Sequence, residues 1–432
     1  RPVYVVAEDP ESALLFCGTD KGAYFSVDGG THWVQLTGGM PATIAVKDMT
    51  VQKREGDLVL ATFGRGFYVL DDLTPLRQAS KQLLEKDGAT FSVKPALRYV
   101  EWTPLGLKGK SFQGASYYTA DNPPFGAVLT YYLKDSLKTL KEQRQEKEKE
   151  EVKKGEKLTY PSKDQLRAEA EEEAPQVVVT VTDAAGNVVR RIDGSVKKGL
   201  HRVSWDLRYP APNPPNLKKG GEYNPFAGAE QGPLVTPGQY RMTVAAVVRG
   251  ETTTVGEPRD VSVVPLEVAS LPDQDQAALL AFQRRTANLQ RAVLGALRVA
   301  NETDTRLKLI DKALADTPAA DASLVDQART LRKKLDAILV KLRGDRVMAQ
   351  HNEPTAPSIR ERVGRIVEES WGSTSKPTQT QLDGYGIAGE QFTPVLADLK
   401  QLVDVDLAAL DKRMEDIGAP WTPGRIPTWK PE

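Results

Sequence analysis

One stretch near the start of the chain occurs twice, and this repeat constrains the fold more than any other feature. Leu14-Leu15-Phe16-Cys17-Gly18-Thr19-Asp20-Lys21-Gly22-Ala23-Tyr24-Phe25 lines up with Leu58-Val59-Leu60-Ala61-Thr62-Phe63-Gly64-Arg65-Gly66-Phe67-Tyr68-Val69 at an offset of 44 residues. Gly22 falls on Gly66, Tyr24 on Tyr68 and Asp28 on Asp72. In the first copy, short apolar runs at 3–6, 13–18, 22–27 and 33–36 alternate with turns at Asp9-Pro10, Asp20-Lys21-Gly22 and Asp28-Gly29-Gly30, which reads as four strands. A period of about 40–50 residues holding four strands is the signature of a β-propeller blade. One blade cannot bury both of its faces, and stable rings use about 4–8. Residues 1–77 are therefore expected to be the final blades of a partial β-propeller, with the other blades preceding Arg1 or lying on another chain.

The rest of the chain changes character four times. Residues 78–133 are mixed, with a short helix expected at 78–86 and strands at 93–102 and 126–133, and they read as a linker and the first strands of a sandwich region. Residues 134–175 are dominated by charge: 23 of the 40 residues from Lys134 to Glu173 are Lys, Arg, Asp or Glu. Pairs such as Glu150 and Lys154 suit a solvated helix, but apolar residues are too sparse for a packed face. The segment is expected to be a charged helical or disordered insertion, or else a partner-binding arm. Residues 176–266 return to short strands, with a turn at Asp183-Ala184-Ala185-Gly186-Asn187 and a long Pro- and Gly-rich loop at 210–233. This pattern reads as an all-β sandwich, with Trp205 in its core because it alternates with Val203 and Leu207.

From Leu271 the period becomes helical. Phe282, Leu289, Val293, Ala296 and Ala300 form one stripe, and Ala328, Leu331, Leu335, Ile338 and Leu342 a second. Ile359, Val363 and Ile366 mark a third helix. Leu399, Leu402 or Val403, Leu407, Leu410 and Met414 mark a fourth. One-sided stripes call for an α-helical bundle over 267–418, with Pro272 in the first turn and Gly418 at the end. The tail 419–432 is expected to be an extended strap anchored by Trp421 and Trp429.

Composition narrows the chemistry. With 58 basic and 58 acidic residues there is no excess positive charge for nucleic-acid binding. No window approaches the roughly 18 apolar residues of a membrane span. Cys17 alone excludes an internal disulfide framework and sits in an apolar run. His32, His201 and His351 fall in three different modules, so neither a metal site nor a cofactor is expected. Trp102, Trp205, Trp371, Trp421 and Trp429 admit carbohydrate stacking, although packing explains them more simply.

Two motifs carry a resemblance. Ser26-Val27-Asp28-Gly29-Gly30-Thr31-His32-Trp33 resembles the Asp box of sialidases and sortilin-like BNR-repeat propellers, with Ser26, Asp28, Gly30 and Trp33 matching and His32 where Thr is usual. Its physical role is structural: the Asp accepts turn amides, the glycines take unusual backbone angles, and the Trp packs under the blade. Gly56 to Leu73 resembles the last blade of secreted bacterial sortilin-type proteins often described as glycosyl hydrolases. Pro123-Pro124-Phe125-Gly126-Ala127, Gly199 to Arg208, and Pro237-Gly238-Gln239-Tyr240 are similar to the continuation of those proteins, an immunoglobulin-like sandwich of the hook-capping-protein type. The resemblance implies a secreted or periplasmic bacterial protein. It leaves two functions open. One is a non-catalytic binding or scaffold region for protein or glycan partners. The other is part of a glycoside hydrolase whose site lies in further blades. Among the residues present no catalytic set is expected, and Arg65 is the candidate for binding on the propeller face.

Overall fold

The computed structural model describes residues 2–41, 43–101, 114, 120–158, 160–216, 230–266, 275–429 and 431. It divides into two compact units: one is Arg1–Tyr99, Ser116–Arg208 and Pro237–Glu267, and the other is Val100–Ala115, Tyr209–Thr236 and Val268–Glu432. Trp102, Leu271 and Pro272, and most of the 210–233 loop, lie outside the described residues.

The first unit begins with two antiparallel sheets. Strands β1 (Val3–Glu8), β2 (Leu15–Thr19), β3 (Gly22–Ser26) and β4 (Val34–Gln35) form one in sequential order, and β5 (Val46–Gln52), β6 (Asp57–Thr62) and β7 (Phe67–Leu70) form the other. Leu14, Phe16, Ala23, Val46, Met49, Leu58, Leu60 and Leu73 are buried in the core they share. The sheets touch closely at Gly18, where an added Cβ would stand 2.7 Å from the Val46 carbonyl oxygen.

The repeat is not carried through residue for residue. Phe16 faces Phe25 across the first hairpin, whereas Leu60 faces Tyr68 across the second. The 44-residue offset holds on the inner strand and falls to 43 on the next, because the second hairpin leaves its ladder one pair earlier. Tyr68 therefore takes the core place of Phe25 rather than that of Tyr24.

After β7 the chain makes α1 (Thr74–Gln78), with Pro75 in its first turn, and α2 (Lys81–Leu84), whose N-cap Ser80 accepts a hydrogen bond from Leu83. The short helix expected at 78–86 is α2, Lys81–Leu84, and α1 precedes it. Ala79 is extended between them, and Ser80 starts the second as a cap.

The sandwich draws on strands from both sides of the charged insertion. One sheet runs β13 (Gly199–Trp205), β10 (Ala127–Leu133), β8 (Gly88–Thr90). The other runs β12 (Val188–Gly194), β11 (Gln176–Asp183), β14 (Gly238–Val248), β16 (Arg259–Pro265), β9 (Ala96–Arg98), with β15 (Glu251–Thr254) also on β14. Among the described residues of the expected 93–102 strand only β9 forms, and it pairs parallel to β16. Alternate residues face inward, as a two-layer sandwich requires: Val177, Val179 and Val181 from β11, Met242 and Val244 from β14, Leu129 and Tyr131 from β10. Trp205 is fully buried, edge-on to Tyr240 at 5.1 Å, with its indole N–H donating to the Arg208 carbonyl at 3.1 Å. Gly126 has φ 100°, and a Cβ there would lie 1.9 Å from the Trp205 carbonyl oxygen, so only glycine starts β10 beside β13.

The insertion is an ordered helical hairpin, α3 (Leu140–Lys154) and α4 (Lys163–Glu171), each opened by a capping box, from Thr139 and Ser162. Neither helix buries a residue. Arg144 joins them, donating to both oxygens of Glu169 at 2.6 and 2.8 Å and to Glu148 at 2.6 Å.

The second unit is helical: α5 (Gln276–Ala315), α6 (Ala322–Arg343), α7 (Arg346–Gln350), α8 (Ile359–Trp371) and α9 (Gln379–Lys400), then a π-helical stretch Gln401–Leu407 that runs into α10 (Ala408–Asp416). Every residue of the first two expected stripes is buried in α5 and α6 except Leu289, which is partly buried. The fourth stripe steps by five residues from Leu402 to Leu407, both buried, and the π-helical turns supply that step. Among the described residues no helix is long and apolar enough to cross a membrane.

The tail is held differently from expectation. Trp429 is 82% exposed and Trp421 61%. The buried Arg425 guanidinium donates to the carbonyls of Ala419 and Pro420, the Trp421 indole N–H donates to the Arg425 carbonyl at 2.8 Å, and Thr428 donates its amide and hydroxyl to Glu415. A guanidinium satisfies several carbonyls of an irregular turn at once, which an indole with one donor cannot do.

Candidate functional site

The Asp-box residues come together as a turn after β3. The buried Ser26 hydroxyl accepts from the Gly30 amide at 2.9 Å and donates to Asp28 at 2.8 Å. Asp28 accepts the His32 amide at 2.9 Å, and its second oxygen lies 2.7 Å from His32 Nδ1. The His32 backbone bond, then the His32 and Ser26 side-chain bonds, hold the Asp28 carboxyl far below the usual range. Gly29 and Gly30 have φ of 69° and 93°. Trp33 corrects the sequence reading: it does not pack under the sheet. Its ring lies against Gly30 and is 40% exposed, because β4 begins only at Val34 and leaves Trp33 on the turn.

Arg65 sits at the exposed tip of the turn closed by Thr62, whose hydroxyl donates to the Gly66 carbonyl at 2.6 Å. The structure brings no other polar side chain of the described residues onto it. His201 hydrogen-bonds the Lys197 carbonyl at 2.5 Å, as a strand-end contact. Among the described residues no three His, Cys, Asp or Glu side chains converge as metal ligands do. Cys17 is buried, and burial pushes its thiol pKa up.

A cleft of about 540 Å³ lies within the first unit, and sequence reasoning did not find it. One wall is the end of the β5–β7 sheet, with Glu55, Asp57, Asp71 and Asp72; the other is sandwich, with Lys94, Leu97, Tyr99, Phe125 and Arg202. Arg202 donates to the carbonyls of Asp71 and Asp72 at 2.7 and 3.0 Å, closing the β7 end onto β13. Lys94 donates to the Glu55 carbonyl and stands 3.7 Å from its carboxylate. Asp57 accepts the Asp72 amide at 2.8 Å, and Asp72 accepts the Thr74 amide at 3.1 Å. Tyr99 meets Phe125 edge-on at 4.9 Å, and the Phe125 carbonyl accepts the Ser204 hydroxyl. Asp71, like Asp57 and Asp72, receives no side-chain donor among the described residues. Burial first, then the Asp57 charge, push its pKa up, against the opposing pull of Arg202 and Lys94. The segments Gly56 to Leu73, Pro123-Pro124-Phe125 and Gly199 to Arg208 stand out in the sequence, but nothing in it joins them into one site. The acids and bases come from segments up to 147 positions apart, Glu55 to Arg202, so no local spacing could flag them.

Comparison with known proteins places one part of the first unit. The family described as the FlgD Ig-like domain matches residues 156–211, which span α4, β11, β12 and β13. No curated protein matches the chain. Among solved structures, the extracellular domain of a hybrid two-component system from B. thetaiotaomicron is similar at 8% identity and a TM-score of 0.16, over 61% of this chain and 26% of that one. The extracellular domain of a one-component system from the same organism is similar at 10% identity and a TM-score of 0.14, over 61% and 25%. This chain thus spans about a quarter of those structures. It is a multidomain protein, with β-sheets in its first unit, a C-terminal helical region, and a region that matches an immunoglobulin-like domain.

Proposed function

We propose that residues 1–77 are blades of a sortilin-like, Asp-box β-propeller, and that this chain is a non-catalytic binding or scaffold region of a secreted or periplasmic bacterial protein, presenting surfaces to protein or glycan partners. The observation that carries the reading is the pair of uncovered faces on the first two sheets. Val5 and Ala7 point to the shared core while Val6, between them, is 63% exposed. On the second sheet Phe67 and Val69 lie on the face opposite Leu60 and Leu58 and are 76% and 53% exposed. Apolar rows on the flat of a sheet are what a neighbouring sheet covers, and a ring supplies such neighbours on both sides. The titratable groups of the motifs support a scaffold over a catalyst: Asp28 and His32 hold a turn, and His201 ties a strand end. The second reading is a glycoside hydrolase with its acids in other blades.

The test compares Phe67→Ser combined with Val69→Ser in two settings. In the 432-residue chain the pair should reduce dye binding to exposed apolar surface and leave Tm unchanged. In the protein isolated from its natural source it should lower Tm, because the face is covered there. A natural protein with the 47.4 kDa mass of this chain and equal effects in both settings would overturn the proposal.

A further inference from the structure

We infer that the cleft between the β5–β7 sheet end and the sandwich binds an organic cation, an ammonium or guanidinium on an apolar stem, with Asp71 and Asp57 facing the charge and Tyr99 and Phe125 packing on the stem. The argument starts from charge. Among the described residues, Glu55, Asp57, Asp71 and Asp72 line the cleft against only Lys94 and Arg202. Both cations are already engaged: Arg202 with the Asp71 and Asp72 carbonyls, Lys94 with Glu55. Asp57 and Asp72 each accept one backbone amide. None of Asp57, Asp71 and Asp72 has a side-chain donor among the described residues, and Asp71 is half-buried beside the Asp57 carboxylate. Such a group gains most from a positive partner entering the cleft.

The opposite wall fixes the rest of the ligand. Tyr99 and Leu97 are exposed, and with Phe125 they present apolar surface within the same cleft. Aromatic faces near a carboxylate favour a cation carried on methylenes, through both ring quadrupole and area. A bare divalent ion does not fit, since no three acidic groups among the described residues converge. An anion is disfavoured by the acidic excess. The volume, about 540 Å³, lies within the usual range for a ligand pocket and admits one long basic side chain with its adjoining backbone. The chemistry is the same whether the group belongs to a free amine or to a lysine or arginine of a partner protein.

The experiment is calorimetric titration of the whole 432-residue chain at low salt with two probes, agmatine and the peptide acetyl-Gly-Arg-Gly-amide. At least one should bind, and Asp71→Asn and Tyr99→Ala should each weaken it by about tenfold. Tighter binding of the peptide identifies a protein side chain as the ligand, and tighter binding of agmatine a free amine. Thermal melts check that both variants are folded, with Asp57→Asn as a third variant should either fail. No heat with either probe, equal affinity of the uncharged pentan-1-ol, or binding insensitive to both Asp71→Asn and Tyr99→Ala would overturn the inference.

Discussion

Arg77 on α1 grips Asp9, in the turn after β1, with two parallel hydrogen bonds of 2.9 and 2.8 Å, so that the helix after the second sheet clamps the first hairpin of the first sheet. Asp9 is almost fully buried, and Ser12 donates to it at 2.6 Å. Arg77 also reaches Glu11 at 2.8 Å. Burial alone would raise the Asp9 pKa, but the Arg77 and Ser12 bonds outweigh it and hold the group below the usual carboxylate range. A carboxyl lowered in the folded state stabilises above its unfolded pKa and loses that contribution as pH falls through its folded pKa. Asp9→Asn should therefore cost about 2–3 kcal/mol at neutral pH. The difference from wild type should close under acid conditions, as measured by urea unfolding across pH.

Asp71 has the opposite sign. Its carboxyl is raised in the folded state, so its contribution is favourable only below the unfolded value and is lost as pH rises through the folded one. Asp71→Asn should raise Tm slightly at neutral pH and leave it unchanged at the acid end. A lower Tm at neutral pH would show that the carboxylate is paired.

The Asp-box turn should fail through Ser26 rather than Trp33. Ser26 is buried and its hydroxyl serves both the Gly30 amide and Asp28. Ser26→Ala should cost about 1–2 kcal/mol. Trp33→Ala, at a half-exposed ring, should cost less. Equilibrium unfolding of the two variants ranks them.

The sandwich core should be far more sensitive. Trp205→Ala removes a fully buried ring and its bond to the Arg208 carbonyl, and should cost about 3–5 kcal/mol. Tyr131→Phe loses only the bond to the Ser195 carbonyl, 2.7 Å long, and should cost about 1 kcal/mol. Burial raises that phenol to about 12, so absorbance titration should find it still protonated at pH 11.

Residues 139–173 should be replaceable by a short Gly/Ser linker. Their helices bury no residue, and Arg144 ties them only to each other. The base is fixed outside them, through Leu137 to the Val196 carbonyl and Lys134 to the Asp87 carbonyl. A Tm drop of more than about 5 °C, corresponding to about 1 kcal/mol or more, would show that the hairpin packs.

Periodicity alone determined much of this chain. Apolar alternation around Val177 to Val181 and Trp205 sets the inward faces of strands, and steps of three and four from Phe282 to Ala300 set the buried stripe of α5, because a side chain's face follows from backbone period. The same reasoning missed the first 20 residues of α9. Gly384, Gly386, Gly389 and Pro394 interrupt the pattern, and only packing of Ala388, Phe392 and Val395 into the bundle core keeps that segment helical. Other features were decided by tertiary structure. The one-residue slip of the second hairpin follows from where Leu60 and Tyr68 meet, and the strap is held by the Arg425 guanidinium together with the Trp421 indole N–H. The cleft exists because Asp71 and Arg202, 131 positions apart, are brought together when the end of β7 closes onto β13. Local sequence fixes which side of an element is apolar; long-range closure fixes which polar groups share a space, and no nearest-neighbour pattern encodes that.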